Sequence, residues 1–174
     1  PDGAVIVYHF IEKSEGKVIL VFLDQGGQEV NRYSSGDGGP VSAVVGMNRF
    51  VWDMKYESPN VIQETCSPEE PLAGPMIIPG IYEVKLKVDE QSQTQTIKIL
   101  KDPRITTTIE DFEAQLDLLK KITEKLSATH DSINQIRKIT RQIEEWIEKA
   151  KDHNATKSIS DKGNEIKLKL ADIE

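Results

Sequence analysis

The spacing of apolar residues changes once along this chain, near Asp102-Pro103. Before that point apolar and polar residues alternate, the two-residue repeat of a strand with one buried face. After it, apolar residues recur every three or four positions, the repeat of an amphipathic helix. A pattern with one period does not settle into the other structure, so the chain must hold a β half followed by a helical half. The expected fold is α+β, divided into residues 1–104 and 105–174. At 174 residues the chain suits one domain or two small ones, long enough to bury a core without disulfides.

In the first half, "AVIVYHF" sets Ile6, Tyr8 and Phe10 on one face, and "KVILVFLD" sets Val18, Leu20 and Phe22 together. "DQGGQ" (Asp24–Gln28) reads as a turn, because paired glycines accept positive φ at little cost. "EVNRYSS" is a short strand and "GDGGP" a loop. In "GMNRFVWDMKY" Asn48, Phe50, Trp52 and Met54 share one parity, opposite Arg49, Asp53 and Lys55. Residues 57–79 are rich in proline and read as a long connection that includes Cys66. "IYEVKLKV" points Tyr82, Val84, Leu86 and Val88 inward, and "TQTIKIL" does the same with Ile97 and Ile99. Six or seven short strands in about 100 residues predict an antiparallel β-sandwich. Its core should hold Phe50, Trp52 and the body of Tyr82, with the Tyr82 hydroxyl reaching the backbone of the preceding corner.

The second half has no Gly or Pro from Ile109 to Asp152. Phe112, Leu116, Leu119, Ile122, Leu126, Ile133, Ile136, Ile143, Ile147 and Ala150 form a seam, with a polar gap at Thr129 and His130. Thr107 with Glu110 fits a capping box. The helix would run about 65 Å. "DHNAT" breaks it, and a second helix from about Lys157 carries Ile159, Gly163, Ile166, Leu170 and Ile173. Gly163 lies on the seam and would let the two backbones approach. An antiparallel helical hairpin follows, with a stripe as narrow as a coiled coil's. The first helix outruns the second, so its unmatched part must pack on the sandwich, on another chain or on something outside this sequence. The polar gap reads as a register-setting interruption or as a local bend.

Composition narrows the functional classes. The net charge is −7, and neither half carries a basic excess, which argues against nucleic acid as a partner. No apolar run approaches the ~18 residues of a membrane span. The chain begins with proline, so a fragment or a processed product is expected. With one cysteine, Cys66, there is no internal disulfide and no Cys-based zinc site, and the histidines His9, His130 and His153 match no ligand spacing. His9 shares a strand face with Val5, Val7 and Ile11, which suggests a partly buried structural histidine. Glu64, Glu69 and Glu70 could be imagined as an acid–base pair, but such chemistry needs an enclosed pocket, and an acidic, proline-rich loop is usually solvated. "GDGGP" lacks a phosphate-loop motif, Asp24 lacks the further carboxylates of a calcium loop, and "NAT" at Asn154 is a bare sequon. No cofactor and no enzymatic activity are expected.

The segments "GMNRFVWDMKY", "GPMIIPGIYEVKLKV" and "KDPR", followed by a long helix, resemble the C-terminal region of bacterial proteins with sortilin-like or sialidase-like (BNR-repeat) β-propellers. The sandwich is also similar to the Ig-like module of the flagellar hook-capping protein, through Trp52-Asp53 and through Gly80, Tyr82 and Val84. The resemblance implies a non-catalytic accessory or interaction module at the end of a larger propeller protein. It implies a secreted or cell-envelope setting, although the composition suits the cytoplasm equally. The partner would be the upstream propeller domain or another protein, reached through Trp146, Phe112, Leu116 and Leu119. Two other readings stand beside it: a carbohydrate-binding module of a glycosidase, and a coiled-coil module that makes a homo-oligomer through its helices.

Overall fold

The structure is a computed structural model that describes residues 3–13, 16–36, 38–63, 72–150 and 156–173. It is an α+β molecule. Six strands, β1 (Ala4–Phe10), β2 (Val18–Leu23), β3 (Glu29–Ser34), β4 (Gly46–Trp52), β5 (Gly80–Val88) and β6 (Gln91–Ile99), precede two helices, α1 (Ile109–Lys149) and α2 (Thr156–Ala171). All strand pairs are antiparallel. β1 and β4 form a two-stranded sheet, and the other four make a sheet in the order β3-β2-β5-β6. The chain clusters into two compact units. One comprises Pro1–Ser58 and Leu72–Thr123, the other Pro59–Pro71 and Glu124–Glu174. The residue 104/105 boundary marks the change of secondary structure; the units part inside α1.

In the sheet unit, alternation decides which side chains meet. Phe50 and Trp52 from β4 join Val18, Leu20, Phe22, Tyr82 and Val84 from the larger sheet in one core. Trp52 is wholly buried, stacked on Phe22 at a 4.1 Å centroid distance and meeting Tyr82 edge-on at 5.8 Å. The Tyr82 hydroxyl donates to the Ile78 carbonyl (2.8 Å), and the Tyr8 hydroxyl to that of Ser42 (2.7 Å). Each ring therefore buries its apolar body while its polar tip closes a corner.

Asn48 explains itself only in three dimensions. It lies on the inward parity and is 2% exposed. Its Nδ2 donates to the carbonyls of Val44 and Gly46 (2.8 and 3.0 Å), and its Oδ1 accepts from Ser42 Oγ and the Val44 N–H (2.6 and 3.2 Å). A single amide thus satisfies the loop leading into β4, which is how a polar group earns a buried place. Asp53, on the opposite parity, is exposed and accepts from the hydroxyl of Tyr33 on β3 (2.9 Å). His9 is exposed rather than partly buried, because β1 turns the Val5, Val7, His9 face outward.

The start of α1 also differs from expectation by one residue. Thr108 and Asp111 cap it reciprocally, rather than Thr107 and Glu110. The Asp111 N–H donates to Thr108 Oγ1 (3.2 Å), and Asp111 Oδ2 accepts from the Thr108 hydroxyl (2.8 Å) and N–H (3.3 Å). The shorter Asp reaches back as well as Glu would, and its charge suits the helix N-terminus. α1 spans 41 residues and ends at Lys149 rather than Asp152. The "DHNAT" break with its sequon at Asn154 lies largely outside the described residues, as do His153, Cys66, Glu64, Glu69, Glu70 and Asp37.

Candidate interaction surface

In the second unit, two faces of α1 do different work. The first is polar. Ser127, His130, Asn134 and Arg137 recur at steps of three and four and, with Asp131, hold the segment Asn60–Gln63. Ser127 Oγ accepts from the Asn60 N–H (3.1 Å), and the Asp131 carboxylate accepts from Asn60 Nδ2 through both oxygens (3.0 and 2.9 Å). His130 Nδ1 bonds to the Asn60 carbonyl. Asn134 works in both directions, accepting from the Gln63 N–H (2.8 Å) and donating to the Val61 carbonyl (2.9 Å). Arg137 makes a long contact to the Gln63 carbonyl (3.4 Å). A segment without secondary structure must place its backbone polar groups somewhere, and these side chains receive them. Thr129, the other residue of the polar gap, returns its hydroxyl to the Lys125 carbonyl one turn back (2.9 Å). The interruption in the apolar seam is therefore a strip that grips residues 60–63. The signal was present in the sequence as a second, polar stripe at helical spacing.

The second face is apolar. Ile143 and Ile147 of α1 meet α2 at Gly163, where an added Cβ would lie 2.8 Å from Ile147 Cδ1 and 3.0 Å from Ile143 Cγ2. The missing side chain is what lets the two helices close. Beside this contact runs a groove of about 420 Å³, lined by Ile143, Trp146, Ile147, Ile159, Gly163 and Ile166 with Lys162 and Ser158. Trp146 is 71% exposed, and Ile159 and Ile166 are exposed as well. Two ion pairs stand on the surrounding surface, Lys167–Glu144 (2.5 Å) and Lys169–Glu165 (2.6 Å).

The other expected contact residues belong to the sheet unit. Leu116 is buried, Phe112 half-buried, and Leu119 exposed. Leu116 lines a cavity of about 270 Å³ with Asp24, Tyr56, Tyr82, Ile109 and Lys120. There the Lys120 ammonium stands 4.2 Å from the Tyr56 ring centroid, a cation–π contact. Burial pushes the Tyr56 hydroxyl pKa up, and the Asp24 carboxylate adds to the rise. Tyr82 is pushed up to about 12, first by burial and then by Tyr56, against the lowering effect of its bond to Ile78. Asp24 Oδ1 is already engaged by the N–H groups of Gly26 and Gln28 (both 2.9 Å), which shapes the β2–β3 turn. Trp52, being wholly buried, offers no face to a sugar. Among the described residues there is no group of three or more His, Cys, Asp or Glu that could hold a metal ion. No described helix is long and apolar enough to cross a membrane.

Compared with protein-family models, with curated proteins and with solved structures, the chain matches none.

Proposed function

We propose that this chain is a non-catalytic accessory module, an Ig-like β-sandwich followed by an antiparallel helical hairpin, that docks a protein partner through the helices. In this reading it is the C-terminal part of a larger, secreted or cell-envelope β-propeller protein, and its partner is the propeller domain or another protein. One observation carries the docking role: Trp146 stands exposed at the rim of an apolar groove between α1 and α2. A large aromatic ring left in water beside unfilled apolar surface is the composition of an interface centre rather than of a solvated helix face.

The reading is tested in the producing cell. A photo-crosslinking residue replaces Trp146, and a control replaces Lys138 on the same helix. The reading expects an adduct from position 146 alone, to a propeller-containing polypeptide or another protein. An adduct to a second copy of this chain would make the groove a self-association surface. No adduct at either position would sink the docking role. An antibody against the chain settles the other half. A band several times the 19.6 kDa of this sequence supports a tail module, and a band at that size removes the propeller from the account.

A further inference from the structure

The two sheets differ in width, and the difference leaves a cleft. β1 pairs only with β4, and β6 only with β5, so among the described residues each has one edge without a strand partner. Between those two edges lies a cleft of about 420 Å³. Consecutive residues of β1, Val5 to His9, line it. Side chains of opposite parity point to opposite faces, so only the edge of a strand lines a cavity with both parities. Opposite β1, Gln93 and Gln95 of β6 pair in register with Leu86 and Val84, which puts them on the core-facing side of the larger sheet, yet both are exposed. Among the described residues nothing covers Gln93 and Gln95 on that face of β6.

We propose that this cleft receives an extended segment of a partner polypeptide, which adds to the free edge of β1 as a third strand and lays its inward side chains over Leu86, Gln95 and Ile97. Three observations define that occupant. First, a strand edge presents a row of backbone donors and acceptors, and a second strand satisfies it best. Second, neither edge is guarded. Proteins commonly blunt an exposed edge with lysine, proline or a bulge. β1 has none of these over its seven residues, and β6 has only Lys98 at its far end. Third, charge selects the segment. In a chain with 29% charged residues, none of the cleft's lining residues is Asp, Glu, Lys or Arg. Where the cleft continues past Phe10, Glu12 appears. The matching segment is therefore uncharged and alternately apolar along β1, with a basic residue at the end that reaches Glu12. This site lies in the sheet unit and stands independently of the Trp146 groove.

The test uses the full chain and a synthetic peptide, Lys-Thr-Val-Thr-Val-Thr-Val, followed by amide hydrogen exchange and fluorescence anisotropy. The peptide is expected to slow exchange of the β1 amides by about tenfold or more and to bind in the micromolar to millimolar range. Gln95→Lys changes an exposed side chain, so the melting temperature should hold while binding falls about tenfold. Glu12→Lys should weaken this peptide and favour its Glu-headed counterpart. Absence of β1 protection at millimolar peptide overturns the proposal, as does binding that ignores Gln95→Lys. If the β1 amides of the free protein become protected as its own concentration rises, the edge pairs with a second copy and the partner-strand proposal fails.

Discussion

On β4, Trp52 is stacked against Phe22 with none of its surface in water; on α1, Trp146 is 71% exposed. The same residue type serves opposite ends because the two regions bury surface differently. In the sheet unit, side chains from two sheets converge on one cluster, and each large ring has partners on several sides. In the helical unit, the close contact is a seam through Gly163, and a helix touched along one narrow line leaves most of its circumference in water. Stability should therefore concentrate in the first unit, while the docking proposed for Trp146 falls in the second. Single substitutions can break that division.

The largest effect is expected at Trp52. Trp52→Ala should cost about 3–5 kcal/mol, since a cavity opens where Phe22 and Tyr82 cannot collapse together. Trp52→Phe should cost less than the lost volume suggests. Among the described residues the buried Trp52 Nε1 has no hydrogen-bond partner, and phenylalanine removes that donor. Urea unfolding followed by near-ultraviolet circular dichroism measures both variants. A cost below 1 kcal/mol for the alanine variant would mean that the sheets do not depend on this core.

Alkaline pH should separate the regions next. All four tyrosines, Tyr8, Tyr33, Tyr56 and Tyr82, lie in the sheet unit, and burial is the first cause raising the pKa of each. The folded state favours their neutral form. The stability they contribute is whole below the ordinary tyrosine value near 10 and falls as pH rises through the folded values. Tyr82, raised to about 12, would account for roughly 2–3 kcal/mol of that loss. The melting temperature of the sheets should drop between about pH 10 and 12, with a shallower slope for Tyr82→Phe, while helical signal at 222 nm persists. Simultaneous loss of both would show that the units unfold as one.

Much of the sheet unit was legible from parity alone, because a half-buried strand writes its buried face into every second residue. Phe50, Trp52, Tyr82 and Val84 could be read this way. Asn48 could not, since its place in the apolar row depends on four bonds to a loop that no local pattern announces. His9 misled for the converse reason: its apolar neighbours Val5 and Val7 suggested a buried face, but β1 is an edge strand and that face looks outward. In the helical unit the apolar seam was plain and Gly163 stood out on it. The polar stripe on α1 was visible, but its partner Asn60–Gln63 was not, because the two sides are about 70 residues apart in sequence. Contacts of that range are fixed by the folded arrangement and not by any window of sequence.

Gly163→Leu tests whether the seam carries what stability the helical unit has. The new side chain would fill space that Ile147 and Ile143 already occupy, so the helices must part. Overpacking of this kind costs about 1–3 kcal/mol, offset by about 1 kcal/mol of improved helix propensity. The expected result is an earlier, smaller helical melt with an unchanged sheet transition. Gly163→Ala is the milder probe, because its closest neighbour is the flexible tip of Ile147.

Trp146→Ala should have the smallest effect on stability, within about 0.5 kcal/mol, because the ring is mostly in water before and after unfolding. Its emission should lie near that of free indole in water, well to the red of Trp52, so each single-tryptophan variant reports one region. A loss of more than about 1 kcal/mol would place Trp146 in the packing of the two helices and count against the proposed docking role. Retained stability with a shifted, quenched emission when a partner binds would do the reverse: it would mark the ring as surface kept uncovered in the free chain and covered in the complex.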